Sequence, residues 1–118
     1  MIEVLQILKG CVIIMEKVLP IGSIVYLKGG RQKLMILNRG PQAQIEDQLT
    51  LFDYSASPYP MGMTPDKVLF FNSEEIDKVL FEGYFDEDEE RFQEIYQQWL
   101  ETDGKNIPKG DIGKIMKS

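Results

Sequence analysis

Only one stretch of this chain places apolar residues at helical spacing, and it lies near the C-terminal end, behind five short runs of strand-forming residues. Phe92, Ile95, Tyr96, Trp99 and Leu100 fall at i, i+3, i+4, i+7 and i+8, a continuous stripe along a helix over residues 87–101. Asp86 stands where an N-cap belongs, and Glu89 reads as the second half of a capping box. Asp88, Glu89 and Glu90 fill the first turn, where the helix dipole favours negative charge. Gly104, after Asp103, supplies a left-handed C-cap. A single amphipathic helix must bury its stripe against another element, and here that element has to be a sheet.

The strand signals come in order. Residues 23–28 and 33–37 are rich in β-branched and apolar residues and are joined by Gly29-Gly30-Arg31-Gln32, which reads as a β-hairpin ended by Asn38-Arg39-Gly40-Pro41. Residues 42–48 are polar without a period and read as a loop, before a third strand over 49–55. Pro58, Pro60, Gly62 and Pro65 make residues 56–66 an irregular loop that carries Tyr59, Met61 and Met63. Residues 67–71 and 78–84 are the fourth and fifth strands. Between them Asn72 or Ser73 caps a short helical turn, with Glu75 placed for a capping box. The pattern predicts an α+β fold: a small, strongly bent antiparallel five-stranded sheet, for which an SH3-like half-barrel is one arrangement, with one C-terminal amphipathic helix.

A chain of 118 residues is one domain's worth. The expected division is an N-terminal extension over 1–17, a single domain over 18–103 and a mobile basic tail over 104–118. The first 17 residues form a mixed apolar segment with no clean period, so Met15 rather than Met1 reads as the natural start. Leu8-Lys9-Gly10-Cys11 ends like a lipoprotein cleavage site, but Lys9 and the absence of a basic leader depart from that pattern. The longest apolar run, from Cys11 to Met15, is far too short for a membrane span. A cytoplasmic protein without membrane insertion is expected.

The chain has no histidine and one cysteine. Catalytic triads, imidazole bases, zinc sites and internal disulfides are thereby excluded, and no catalytic residue, cofactor or metal is assigned. Counted from Asp86, a calcium loop would need glycine and glutamate where Arg91 and Gln97 stand. Carboxylates at Glu74, Glu75, Asp77 and Glu82 read as caps and solvated faces, and no phosphate-binding loop follows Gly29-Gly30. The chain is therefore read as a non-enzyme.

Charge is unevenly placed. Residues 1–39 hold six bases and two acids, whereas residues 74–103 hold two bases and twelve acids. That acidic block disfavours nucleic acid, although Lys28, Arg31, Lys33 and Arg39 could form a local basic patch on the first hairpin. Tyr84-Phe85-Asp86-Glu87-Asp88 also fits the short Y-x-x-x-D/E export pattern of type VII secretion.

In combination, several pieces point to a family. These are Leu19-Pro20-Ile21-Gly22-Ser23-Ile24-Val25 with Leu27-Lys28-Gly29-Gly30, Lys33-Leu34-Met35-Ile36 with Arg39-Gly40, Asp53-Tyr54, Tyr59-Pro60-Met61-Gly62, the run from Phe70 to Asp77, and Val79-Leu80-Phe81-Glu82-Gly83-Tyr84. In this order they resemble the domain of unknown function 4176 family of Gram-positive bacteria, over most of residues 19–90. The resemblance implies a small cytosolic protein encoded beside LXG toxins and type VII secretion genes. It implies an accessory role as adaptor, chaperone or targeting factor, with an LXG toxin or a helical type VII secretion factor as partner. It attaches no catalytic residues. The surfaces expected to meet a partner are Tyr59, Met61 and Met63 on the proline-rich loop and the acidic edge with Asp86, Asp88 and Glu89. An immunity protein neutralising a toxin and a small-barrel nucleic-acid-binding module are the alternative readings.

Overall fold

In the computed structural model, residues 17–110 are described with their side chains, and residues 3–8 and 11–16 by their backbone. The strands are β1 (Glu3–Leu8), β2 (Cys11–Glu16), β3 (Ile24–Leu27), β4 (Leu34–Arg39), β5 (Gln42–Ile45), β6 (Gln48–Leu51), β7 (Tyr54–Pro58), β8 (Leu69–Phe71) and β9 (Ile76–Phe81), followed by helix α1 (Glu87–Glu101). Short 3-10 turns lie at Ser73–Glu75 and Gly104–Asn106.

Five strands form the main antiparallel sheet in the order β8-β7-β4-β3-β9. The α+β fold with one C-terminal helix is as the sequence predicts. The sheet is open, with β8 and β9 at opposite edges, and does not close into a barrel. Alternation along the strands sends one set of side chains toward α1. Val25, Leu34, Ile36, Tyr54, Ala56 and Phe71 meet Val18, Leu19 and Tyr96 in the core, and Phe92, Trp99 and Leu100 pack against them. The helix is turned slightly from the expected stripe: Ile95 is exposed, while Gln93 is buried in its place.

Three further differences have local causes. Residues 42–48 are not a loop, because β5 and β6 form a separate two-stranded hairpin. Its turn residues, Glu46 and Asp47, both take positive φ (53° and 66°), a conformation that Asn-Gly usually marks, so the usual sequence signal is missing. The run 49–55 is not one strand. Leu51, Phe52 and Tyr54 are all fully buried, which a single alternating strand does not produce. The chain changes sheets at Phe52-Asp53, and β7 continues to Pro58. Pro58 is tolerated because β8 reaches only Ala56, so no partner on that side requires its missing N–H. Finally, β1 and β2 pair antiparallel within the segment where no period was visible.

The expected mobile tail is docked over its first seven residues. Leu51 N–H donates to the Pro108 carbonyl (2.9 Å) and Gly110 N–H donates to the Leu51 carbonyl (2.8 Å). Lys109 pairs with Asp53 at 2.6 Å, and the Asn72 amide donates to the Gly110 carbonyl. A Cβ at Gly110 would overlap the Phe52 ring, so only glycine lets the strap lie this close. The remainder of the tail, residues 111–118, lies outside the described residues.

Candidate functional site

The helix-side face of the sheet is sealed by polar groups. Val18 and Leu19 run through the core with their backbone buried, and buried amides and carbonyls need partners. Side chains supply all four. Gln93 accepts from Val18 N–H (3.1 Å) and donates to its carbonyl (2.8 Å). The Tyr54 hydroxyl accepts from Leu19 N–H (2.8 Å), and Arg39 Nη1 donates to the Leu19 carbonyl (3.1 Å).

Arg39 also makes a two-pronged pair with Glu89 at 2.6 and 3.0 Å, and its guanidinium lies 4.1 Å from the Phe92 ring centre. Only 5% of the Arg39 side chain and 11% of the Glu89 side chain are exposed. Two sequence expectations are thereby corrected. Glu89 does not point back to form a capping box or outward to a partner, because its carboxylate is occupied by Arg39 and Gln93. Arg39 is not part of a solvent-facing basic patch. Asp86 does cap α1, accepting from Glu89 N–H at 3.1 Å. Beside this cluster the Tyr96 hydroxyl is buried with no hydrogen-bond partner among the described residues, and burial raises its pKa well above the ordinary tyrosine value.

The opposite face is closed over β7, where Ser55 and Ser57 are buried, and opens toward β9. Cross-strand partners there form one row over four strands: Phe81 beside Ile24, Ile24 beside Met35, Met35 beside Ser57. Ser57 is buried, and the three apolar members line a shallow groove of about 400 Å³ together with Tyr59, Lys33 and Leu80. Phe81 is 60% exposed. The base of the Tyr59 loop is fixed, since Tyr59 N–H donates to the Lys33 carbonyl (2.8 Å) and Gln32 donates to the Tyr59 carbonyl (2.9 Å). Farther out, Met61 and Met63 are 66% and 65% exposed.

The structure thus joins Tyr59 to a larger apolar surface and leaves Met61 and Met63 exposed on the loop outside the groove lining. Asp86 and Asp88 lie elsewhere, at the start of α1. Phe81 and the half-buried Ile24 and Met35 were missed as groove residues, because only the strand register shows that they share one face.

The remaining sequence signals separate. Tyr84 of the export-like pattern is 78% exposed and Asp88 is exposed in the first turn of α1, so both ends of that pattern reach the surface. Lys28 and Arg31 border a second hollow at the tip of the β3–β4 hairpin, with Glu75 on its wall. Gly83 locks the end of β9 to the turn before β3: its N–H donates to Ser23 Oγ, and a Cβ there would overlap the Ile21 carbonyl.

A family model described as a domain of unknown function, DUF4176, matches residues 18–92. The chain belongs to the DUF4176 family. The matched span opens at Val18 and closes at Phe92, so this DUF4176 match takes in the five-stranded sheet and the first part of α1, and Gln93 and Tyr96 lie just beyond it. Searches of curated proteins and of solved structures return no match.

Proposed function

We propose that this chain is a non-catalytic protein-binding adaptor, acting in the manner of a chaperone for LXG toxins on their way to type VII secretion. The observation that carries the binding role is the apolar groove lined by the exposed Phe81 and the half-buried Ile24 and Met35, and rimmed by Tyr59. A contiguous exposed apolar surface on a small domain marks an interaction site. Flexible methionines beside it suit a partner surface that must adapt. The secretion link rests on the sequence resemblance, and the partner is a protein, with action in the cytoplasm. No helix among the described residues is long and apolar enough to cross a membrane. The sequestration of Arg39 weakens the nucleic-acid reading, because it removes one of the four bases on which that reading stood.

The test is co-expression of the tagged full chain with an LXG toxin, followed by pull-down. Capture through the toxin's N-terminal helical region is expected, and Tyr59→Ala with Met61→Ala should weaken it about ten-fold while leaving the melting temperature unchanged. Equal capture by the double variant would refute the surface assignment. Capture through the C-terminal toxin domain, with rescue of growth, would establish an immunity protein instead.

A further inference from the structure

We infer that the free edge of β9 is a strand-addition site for an extended, cationic segment of the partner protein, whose alternate apolar side chains enter the groove beside it. This deepens the binding reading above and rests on it.

The first observation is topological. β9 is an edge strand of six residues, bonded to β3 alone, and among the described residues no strand occupies its other side. An edge of that length offers roughly 20 Å of unpaired backbone, a template for another chain. The opposite edge, β8, has only three residues.

The second observation is that edge and groove are continuous. Phe81 is the last residue of β9 and also one end of the apolar row, with Leu80 on the same rim. A segment paired along β9 would place every second side chain on the groove side, the arrangement in which backbone bonds give affinity and pockets give specificity.

The third observation is charge, and it selects the occupant. Exposed acids bracket the strand, Glu74 and Asp77 at its start and Glu82 and Glu87 beyond its end, and outnumber the bases nearby, which are Lys78 on the strand, Lys33 on the groove rim and Lys17 over the Phe85 ring. A second copy pairing antiparallel through β9 would bring Glu74 and Asp77 of one chain beside Glu82 of the other, and like charges so placed cost affinity. A partner segment with lysine or arginine at both ends meets the same acids favourably. The exposed Tyr84 prolongs the apolar surface into the acidic stretch, which suits a basic residue flanked by apolar ones, whereas the Phe85 ring already carries Lys17.

The experiment pans a phage-displayed library of random twelve-residue peptides on the full chain, then measures the selected peptides, synthesised, by fluorescence anisotropy. Enriched peptides should alternate apolar residues and carry Lys or Arg near both ends. Phe81→Asp and Glu82→Lys should each weaken binding about ten-fold. Methylating alternate peptide amides, which removes strand-pairing donors, should abolish it. Both side chains are exposed, so both variants should fold with unchanged melting temperatures. Failure to enrich any peptide, enrichment of helically spaced or acidic peptides, or indifference to Phe81→Asp would overturn the inference. The same variants enter the toxin pull-down. Toxin capture that survives Phe81→Asp and Glu82→Lys but is lost in Tyr59→Ala with Met61→Ala overturns strand addition alone and leaves the binding role standing.

Discussion

The two faces of one sheet are finished in opposite ways. Toward α1, charged and amide side chains are buried: Arg39, Glu89 and Gln93 hold the helix and the Val18-Leu19 backbone in place. Away from α1, apolar side chains are left in the open: Phe81, Leu80 and Tyr59. In an antiparallel sheet with one wet face the usual order is apolar inward and polar outward. The difference teaches that the support of the fold is concentrated on one face. Polar groups specify how the helix closes one side, and Phe81, Leu80 and Tyr59 are apolar side chains withheld from the core.

The comparison can be broken most forcefully at Arg39. Arg39→Ala leaves the Glu89 carboxylate and the Leu19 carbonyl buried without it, and removing one partner of a buried pair costs about 3–5 kcal/mol. Urea denaturation reads that loss directly. Gln93→Leu keeps the side chain's bulk but strips Val18 of both partners, and should cost about 2–6 kcal/mol at about 1–3 per orphaned group. Tyr96→Phe sharpens the contrast in the other direction. It removes a buried hydroxyl that has no partner among the described residues, and should raise stability by about 1 kcal/mol.

Tyr96→Phe should also alter the alkaline limb. The unfolded tyrosine loses its proton near pH 10, whereas the folded one, its pKa raised by burial, keeps it. The stability this group contributes is complete below pH 10 and is lost as pH rises through the folded value. Thermal melts between pH 9 and 11 should therefore show a smaller decline in the phenylalanine variant. The smallest stability effect belongs to the open face: Phe81→Ser should shift the unfolding free energy by less than about 0.5 kcal/mol, measured in the same urea series. A loss at Phe81 rivalling that at Arg39 would show that the open face is part of the fold's support after all.

Much of this architecture was legible along the chain. The β3–β4 hairpin, β8, β9 and the capped helix follow from glycine placement, β-branched runs and a helical period, all of which are local signals. The β5–β6 hairpin was illegible because Glu46 and Asp47 take positive φ without the residues that advertise it. The junction at Phe52-Asp53 was illegible because an unbroken apolar run looks the same whether it crosses between sheets or not. For the site, Tyr59, Met61 and Met63 could be found as apolar residues stranded among prolines. Their neighbours Phe81, Ile24 and Met35 could not, because adjacency there is set by register across strands far apart in sequence. The Arg39–Glu89 pair was hidden for the same reason, and each residue read naturally as surface charge.

The clasp on Val18 has a bearing on how the molecule comes into being. Val18 and Gln93 are separated by 75 positions, yet the first cannot bury its amide and carbonyl until the second arrives. A ribosome emitting about 5–20 residues per second completes the β3–β4 hairpin several seconds before it delivers that glutamine. During the interval the nascent domain has neither of its faces covered. Its final closure is a long-range event, of the kind that slows folding relative to local hairpins and turns. The helix thus acts as a latch, and the domain is sealed only after Gln93 has been made.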